Sequence, residues 1–154
     1  MKTWQRICAS CSSAALVVFA LAGCAGEGSE SAVATSGLSV RGAWARAADS
    51  GAMTAVYFTL ANDGATSDTL TGVSSADANL TEMHISTQRN GMMHMSPVTA
   101  LPVPAQDSVS FRPLGAHVML TGVVRPLTEG DSVTATLSFV SGATLTVRAG
   151  VRKP

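Results

Sequence analysis

The clearest pattern in this chain is a two-residue alternation of apolar and polar positions close to its C-terminus. Residues 132–139 and 144–151 both alternate in this way, and Ser141-Gly142 lies between them as a turn signal. This pattern predicts a β-hairpin with one apolar and one polar face. Residues 56–61 alternate in the same way just before a second turn signal, Asn62-Asp63-Gly64.

Shorter segments of similar character are predicted as further strands, at 38–46, 69–75, 80–87, 92–98, 107–112 and 117–124. Prolines separate several of them, namely Pro102, Pro104, Pro113 and Pro126. No segment of this region has a helical period. Many short strands at a spacing of roughly 8–12 residues predict an all-β sandwich or small barrel.

The N-terminal residues have the pattern of an export signal. Lys2 and Arg6 precede an apolar stretch that is interrupted by serines and is short for a membrane span. The stretch ends in Leu21-Ala22-Gly23-Cys24, which resembles the lipobox of bacterial lipoproteins. Residues 1–23 are therefore predicted to be a lipoprotein signal peptide, with Cys24 as the lipidated residue. The alternative is an ordinary secretory cleavage site that happens to contain a cysteine.

The segment that follows is small and polar. Residues 24–37 are predicted to be a flexible tether, and residues 38–152 the folded domain. The other two cysteines, Cys8 and Cys11, fall within the predicted signal peptide, so the domain must be stabilised by its core without disulfides. The predicted location is extracytoplasmic, with a lipid anchor in the cell membrane.

Composition narrows the possible partners. The chain has 154 residues, of which 46% are apolar, and this is enough for one domain with a substantial core. The formal net charge is zero and there is no basic stripe, so nucleic acid is excluded as an expected partner.

Histidine and methionine are concentrated in one part of the chain. All three histidines lie between positions 84 and 117, and five of the seven methionines lie between 83 and 119. Any one of them could be a core residue, because methionine fills irregular gaps well. In a strand, however, Val118 and Leu120 would share the core face, which turns His117 and Met119 to the opposite face.

The same reasoning turns His84 outward, between the core pair Met83 and Ile85. Alternation does not decide which face of the sheet Met95 occupies, because Met93 lies two residues before it and would share the same face. Thioether sulfur is a soft ligand that prefers Cu(I) to Zn(II) or hard cations, and imidazole binds copper in either oxidation state. Without a thiolate in the domain, a blue-copper site is excluded. No grouping of residues indicates an enzyme.

The spacing of these residues matches a known signature. Ten residues separate His84 from Met95, twenty-one separate Met95 from His117, and one separates His117 from Met119. Met83 precedes the first histidine. This resembles the H(M)-x10-M-x21-H-x-M motif of the PCu(A)C-type periplasmic copper chaperones, here in a lipoprotein member. Flanking segments agree across residues 38–151, including Ala43-Trp44-Ala45-Arg46, Ala55-Val56-Tyr57-Phe58 and Pro126-Leu127. In this family the loop before the second histidine usually contains a pair of glycines and an aromatic residue, whereas here it reads Pro113-Leu114-Gly115-Ala116.

The resemblance implies a cupredoxin-like Greek-key β-barrel or sandwich. It also implies one Cu(I) bound by His84, Met95, His117 and Met119, with His94 and Met83 as auxiliary candidates. The expected partner is a membrane copper acceptor, such as a cytochrome c oxidase subunit or its assembly factor, supplied by a monomeric carrier. Two alternatives remain: an envelope copper buffer without a dedicated recipient, and a structural envelope lipoprotein that binds no metal.

Overall fold

The computed structural model describes residues 37–153. The predicted signal peptide, the lipidated Cys24 and nearly all of the tether therefore lie outside the described residues. Over residues 37–153 there is no helix long and apolar enough to cross a membrane.

The described chain forms ten β-strands. They are β1 (Leu38–Arg46), β2 (Met53–Asn62), β3 (Asp68–Ser74), β4 (Ala78–Arg89), β5 (Met92–Val98), β6 (Leu101–Val103), β7 (Asp107–Phe111), β8 (Ala116–Val123), β9 (Ser132–Phe139) and β10 (Thr144–Arg152). The predicted all-β class is confirmed, and nine of the ten strands coincide with predicted segments.

Strand β6 was not predicted, because Pro102 and Pro104 were interpreted as separators between strands. Pro102 lies inside β6 and opposite Thr69 of β3. Strand β6 is the last in the sheet order, so it has a neighbour on one side only. Proline is tolerated at such an edge because the strand does not need every amide for hydrogen bonding.

The strands form one continuous sheet in the order β5-β4-β8-β7-β2-β1-β10-β9-β3-β6. The two ends of this order are not paired with each other, so the sheet is open in its hydrogen bonding. Residues from distant strands, such as Met83 of β4, Val118 of β8, Leu70 of β3 and Leu137 of β9, nevertheless share one buried core. The sheet therefore folds over a single core, as a sandwich does.

A two-residue turn sets the register of the β4–β5 hairpin. Asn90 and Gly91 both have positive φ, at 51° and 77°, and they join the paired residues Arg89 and Met92. Asn-Gly is the favoured sequence for such a turn, because its twist matches that of the flanking strands. The turn therefore determines which residues of β5 face the same side as His84.

Candidate metal centre

Two histidines form the centre of the outer face of the sheet, the face that points away from the core. His84 of β4 and His117 of β8 are directly opposite each other in the antiparallel pair. Side chains at directly opposite positions share one face. Their ring centroids are 5.8 Å apart with an interplanar angle of 50°.

The two predicted thioether ligands flank this pair on the same face. Met119 lies opposite Glu82, two residues before His84 on β4, and Met95 lies opposite Ser86, two residues after it. Both methionines are therefore diagonal neighbours of His84, at roughly 7–8 Å between backbones, within reach of long side chains. The register also answers the open question of Met95, which shares the face of His84.

The two auxiliary candidates do not belong to this group. Met83 pairs with Val118 and Val98 and is buried in the core, on the opposite face from the histidines. His94 pairs with Thr87, which has the same parity as Met83, so it also lies on the opposite face. Both are removed from the candidate ligands because alternation along their strands points them away from His84.

His117 is buried although it lies on the outer face of the sheet. It does lie on the face opposite Val118 and Leu120, but only 3% of it is exposed. Tyr57 of β2 lies beside it, with ring centroids 6.3 Å apart, and Trp44 of β1 packs on Tyr57 at 4.5 Å. The predicted direction of His117 agrees with the register, and its burial arises because an aromatic pair from other strands covers this side.

A backbone carbonyl orients the His117 ring. Nδ1 of His117 lies 3.0 Å from the carbonyl oxygen of Gly115, which also accepts a hydrogen bond from the amide of Ser86. A carbonyl only accepts, so Nδ1 carries the proton and the neutral ring has its lone pair on Nε2. That Nε2 is buried and has no hydrogen-bond partner. The unusual loop sequence at Gly115 thus still positions the histidine.

A carboxylate orients the His84 ring. Nε2 of His84 lies 3.4 Å from Oε2 of Glu82, while its Nδ1 is buried without a partner. The carboxylate accepts the Nε2 proton, which leaves the lone pair of the neutral ring on Nδ1. The sequence reasoning missed Glu82, although the alternation Glu82-x-His84 already placed both on one face.

Each histidine thus has one nitrogen fixed by a protein acceptor and one buried lone pair without a donor. A buried polar atom left unsatisfied costs about 1–3 kcal/mol. Metal-binding histidines have this same arrangement, with the second nitrogen held by a carboxylate or a carbonyl. The residues present therefore fit a metal ion bound between the two rings.

The remaining donors on this face determine which metal fits. Residues 37–153 contain no group of three His, Asp or Glu side chains placed to hold a metal ion, and cysteine does not occur there. The additional donors available are the thioethers of Met95, which is 52% exposed, and the partly buried Met119. Two imidazoles with two thioethers form a neutral, soft ligand set that favours Cu(I).

The fold and the outer-face site define a PCuAC-type domain. The structure is similar to the copper-bound PCuAC domain from PmoF2, with a TM-score of 0.66 and 25% identity over 81% of this chain and 100% of that one. It is also similar to the copper(I) form of DR1885 from Deinococcus radiodurans, with a TM-score of 0.58 and 34% identity over 76% of this chain and 80% of that one.

The chain belongs to the LpqE-like family, a family of predicted lipoproteins, whose model matches residues 38–151. It is also 32% identical over 117 residues to Lxx21020, a predicted lipoprotein of Leifsonia xyli subsp. xyli (strain CTCB07). That match covers 75% of this chain and 70% of the relative.

Proposed function

We propose that the domain binds one Cu(I) through His84, Met95, His117 and Met119 and carries it to a recipient protein outside the cytoplasm. The observation that carries this proposal is the pair of facing histidines, each with a buried ring nitrogen that has no partner. The similarity to copper-bound PCuAC domains supports copper as the metal.

The roles of the four ligands follow from their surroundings. Nε2 of His117 and Nδ1 of His84 are the nitrogen donors, because their other nitrogens are held by Gly115 and Glu82. Met95 and Met119 add neutral sulfur donors from either side. The aromatic cover over His117 and the polarizable sulfur donors together favour the monovalent ion over Cu(II).

Delivery rests on the unequal exposure of these ligands. His117 is buried under Tyr57, whereas Met95 is half exposed on the hairpin. A recipient can therefore replace Met95 first, while the histidines still hold the ion. Four protein ligands leave no open position for a substrate, so the proposed role is that of a carrier and not an enzyme.

The proposed location is the outer side of a cell membrane, with Cys24 as the lipid anchor and a monomeric domain at the end of the tether. Membership of a family of predicted lipoproteins supports the anchor. A membrane-bound acceptor, such as a cytochrome c oxidase subunit or its assembly factor, is the proposed recipient. A Cys24→Ala variant should leave the membrane fraction, and its full retention there would contradict the anchor.

Competition for Cu(I) tests the binding step. The purified protein, titrated anaerobically against a chromogenic Cu(I) chelator, should retain one equivalent, and a His84→Ala/His117→Ala double variant should retain none. Equal retention by both proteins, or by neither, would contradict the proposal. Leu114→Ala, an exposed change in the loop before β8, serves as the control that should bind like the wild type.

Copper buffering is the second candidate, and the exposed Met95 supports it as well, because an exchangeable ligand also suits storage. A deletion strain separates the two. Loss of oxidase activity at low copper would support delivery, whereas sensitivity confined to high copper would support buffering.

A further inference from the structure

Two further thioethers lie on the same outer face as the candidate ligands. Met93 is two residues before Met95 on β5 and opposite Gln88, which has the parity of His84. Met53 of β2 is opposite Thr121 and two residues from Ala55, which pairs with Met119. Met93 therefore adjoins Met95, and Met53 adjoins Met119.

These four methionines form a diagonal line across the sheet, with the two histidines at its middle. We call Met93, Met95, Met119 and Met53, in that order, the thioether row. Neighbours two residues apart on one strand are about 6.5–7 Å apart by the strand rise, and diagonal neighbours on paired strands are about 7–8 Å apart. Methionine has three rotatable bonds, so adjacent members of the row can reach one ion between them.

Met93 and Met53, at the two ends of the thioether row, are not packed into the core of the described structure. Met53 is 67% exposed and Met93 is 47% exposed, and neither belongs to the buried core. Burial stabilises a side chain in proportion to the apolar area removed from water, so Met93 gains about half of what full burial would give and Met53 less. Core packing therefore does not explain why these two positions carry a thioether.

We propose that Met93 and Met53 are transfer ligands, through which Cu(I) enters and leaves the four-ligand site. This inference rests on the proposed function. At one end of the row a Cu–S bond to Met93 forms as the bond to Met95 breaks, and at the other end Met53 replaces Met119 in the same way. The ion stays Cu(I), and no proton moves because a thioether has none to lose. Each step therefore exchanges one neutral sulfur for another.

Met92 provides a matched control on the same strand. It is 62% exposed, more than Met93, and pairs with Arg89, whose parity places both on the opposite face from the histidines. If any exposed methionine on the hairpin assisted transfer, Met92 would serve as well as Met93. The register predicts that it does not.

Transfer kinetics test the proposal. Cu(I) removal from the purified protein by excess chromogenic chelator should be about tenfold slower when both residues are replaced by leucine, the equivalent of about 1.4 kcal/mol in the barrier. Because the two ends of the row are parallel routes, Met93→Leu and Met53→Leu should each slow removal by less, about twofold if the two ends contribute equally. Equilibrium affinity should be unchanged, and Met92→Leu should match the wild type in both. Leucine retains apolar volume, so folding should be preserved. A wild-type transfer rate in either variant would overturn the assignment of that residue, and lowered affinity would make it a resident ligand instead.

A silver titration separates failure of this inference from failure of the proposed function. Ag(I) is a soft, redox-inert substitute for Cu(I), and methyl-labelled methionines report its position by NMR. The first equivalent should shift Met95 and Met119, and excess should shift Met93 and Met53 but not Met92. If Met95 and Met119 do not respond, the proposed function fails. If they respond while Met93 and Met53 move no more than Met92, only the transfer ligands fail.

Discussion

His84 and His117 face each other across the β4–β8 pair, and each has one ring nitrogen bound to a protein acceptor and one buried nitrogen without a partner. This relationship connects the strand register to the chemistry of the site. A register shifted by one residue would move one of the two rings to the core face. Folding of the sheet therefore assembles the nitrogen donors before any metal arrives.

Two adjacent residues of β8 should affect different properties, one the binding of copper and the other the stability of the fold. Met119→Ala should weaken Cu(I) binding with little change in the free energy of unfolding, because Met119 faces outward. Leu120→Ala should lower the free energy of unfolding by about 2–5 kcal/mol, because Leu120 is fully buried, while the folded protein still binds Cu(I). Urea unfolding and chelator competition measure the two quantities. The same loss of affinity in both variants would contradict the assignment of faces.

Glu82 should influence copper affinity without contacting the ion. Its carboxylate fixes the tautomer of His84, so Glu82→Ala should lower Cu(I) affinity about 10–100-fold, as is typical for removal of the partner of a metal-binding histidine. Glu82→Gln retains an acceptor oxygen and should lose less. Nitrogen NMR should show the Nε2-protonated form of His84 in the wild type. Equal affinity in the wild type and Glu82→Ala would show that Glu82 has no part in the site.

Oxidation should affect the exposed ligand first. Met95 is half exposed, whereas Met119 is partly buried, so peroxide should convert Met95 to its sulfoxide faster in the metal-free protein. Bound Ag(I), the redox-inert substitute for Cu(I), should protect Met95 but leave Met92 as reactive as before. Peptide mass spectrometry after timed anaerobic exposure to peroxide measures both rates. Equal protection of Met92 would indicate a general effect of the metal ion and not ligation by Met95.

Acid should destabilise the domain partly through Asp131. Its carboxylate accepts hydrogen bonds from the backbone amide and hydroxyl of Thr128, at 2.7 and 2.8 Å. These bonds, assisted by nearby Arg125, lower the pKa of Asp131 from its ordinary value of 3.8. A lowered pKa in the folded state gives stability that is present above the unfolded pKa and is lost as pH falls through the folded value.

The Asp131→Asn variant tests this dependence. Its urea midpoint should change less than that of the wild type as pH falls below 3.8, and it should be less stable than the wild type at neutral pH. Asp68 remains as a second acid-sensitive group, because its hydrogen bonds from Ser141 and Thr69 outweigh desolvation and lower its pKa too. Parallel curves for the two proteins would exclude a contribution from Asp131.

Local alternation was enough to predict most of the strands and the outward direction of His84 and Met119. The facing of Met95 required the register set by the Asn90-Gly91 turn, since its own alternation was ambiguous. The burial of His117 was not predictable, because the side chains that cover it, Tyr57 and Trp44, come from strands distant in sequence. Contacts of this kind depend on how strands are ordered in the sheet, which alternation does not encode.

The proline-containing β6 was missed for a related reason. Proline disfavours an interior strand but is allowed at an edge, and only the sheet order shows that β6 is an edge. Met83 was considered as an auxiliary ligand because it adjoins His84 in sequence. In a strand, adjacent residues point to opposite faces, and Met83 is accordingly in the core.

X-ray absorption at the copper edge tests the central claim most directly, because it reports the oxidation state and the donor atoms together. Protein loaded anaerobically with one equivalent of copper should show Cu(I) bound by two nitrogen and two sulfur donors. Met119→Leu should lose one sulfur, while Met92→Leu should give the wild-type spectrum. A first shell of nitrogen and oxygen alone, or a sulfur count unchanged by Met119→Leu, would contradict the proposed site.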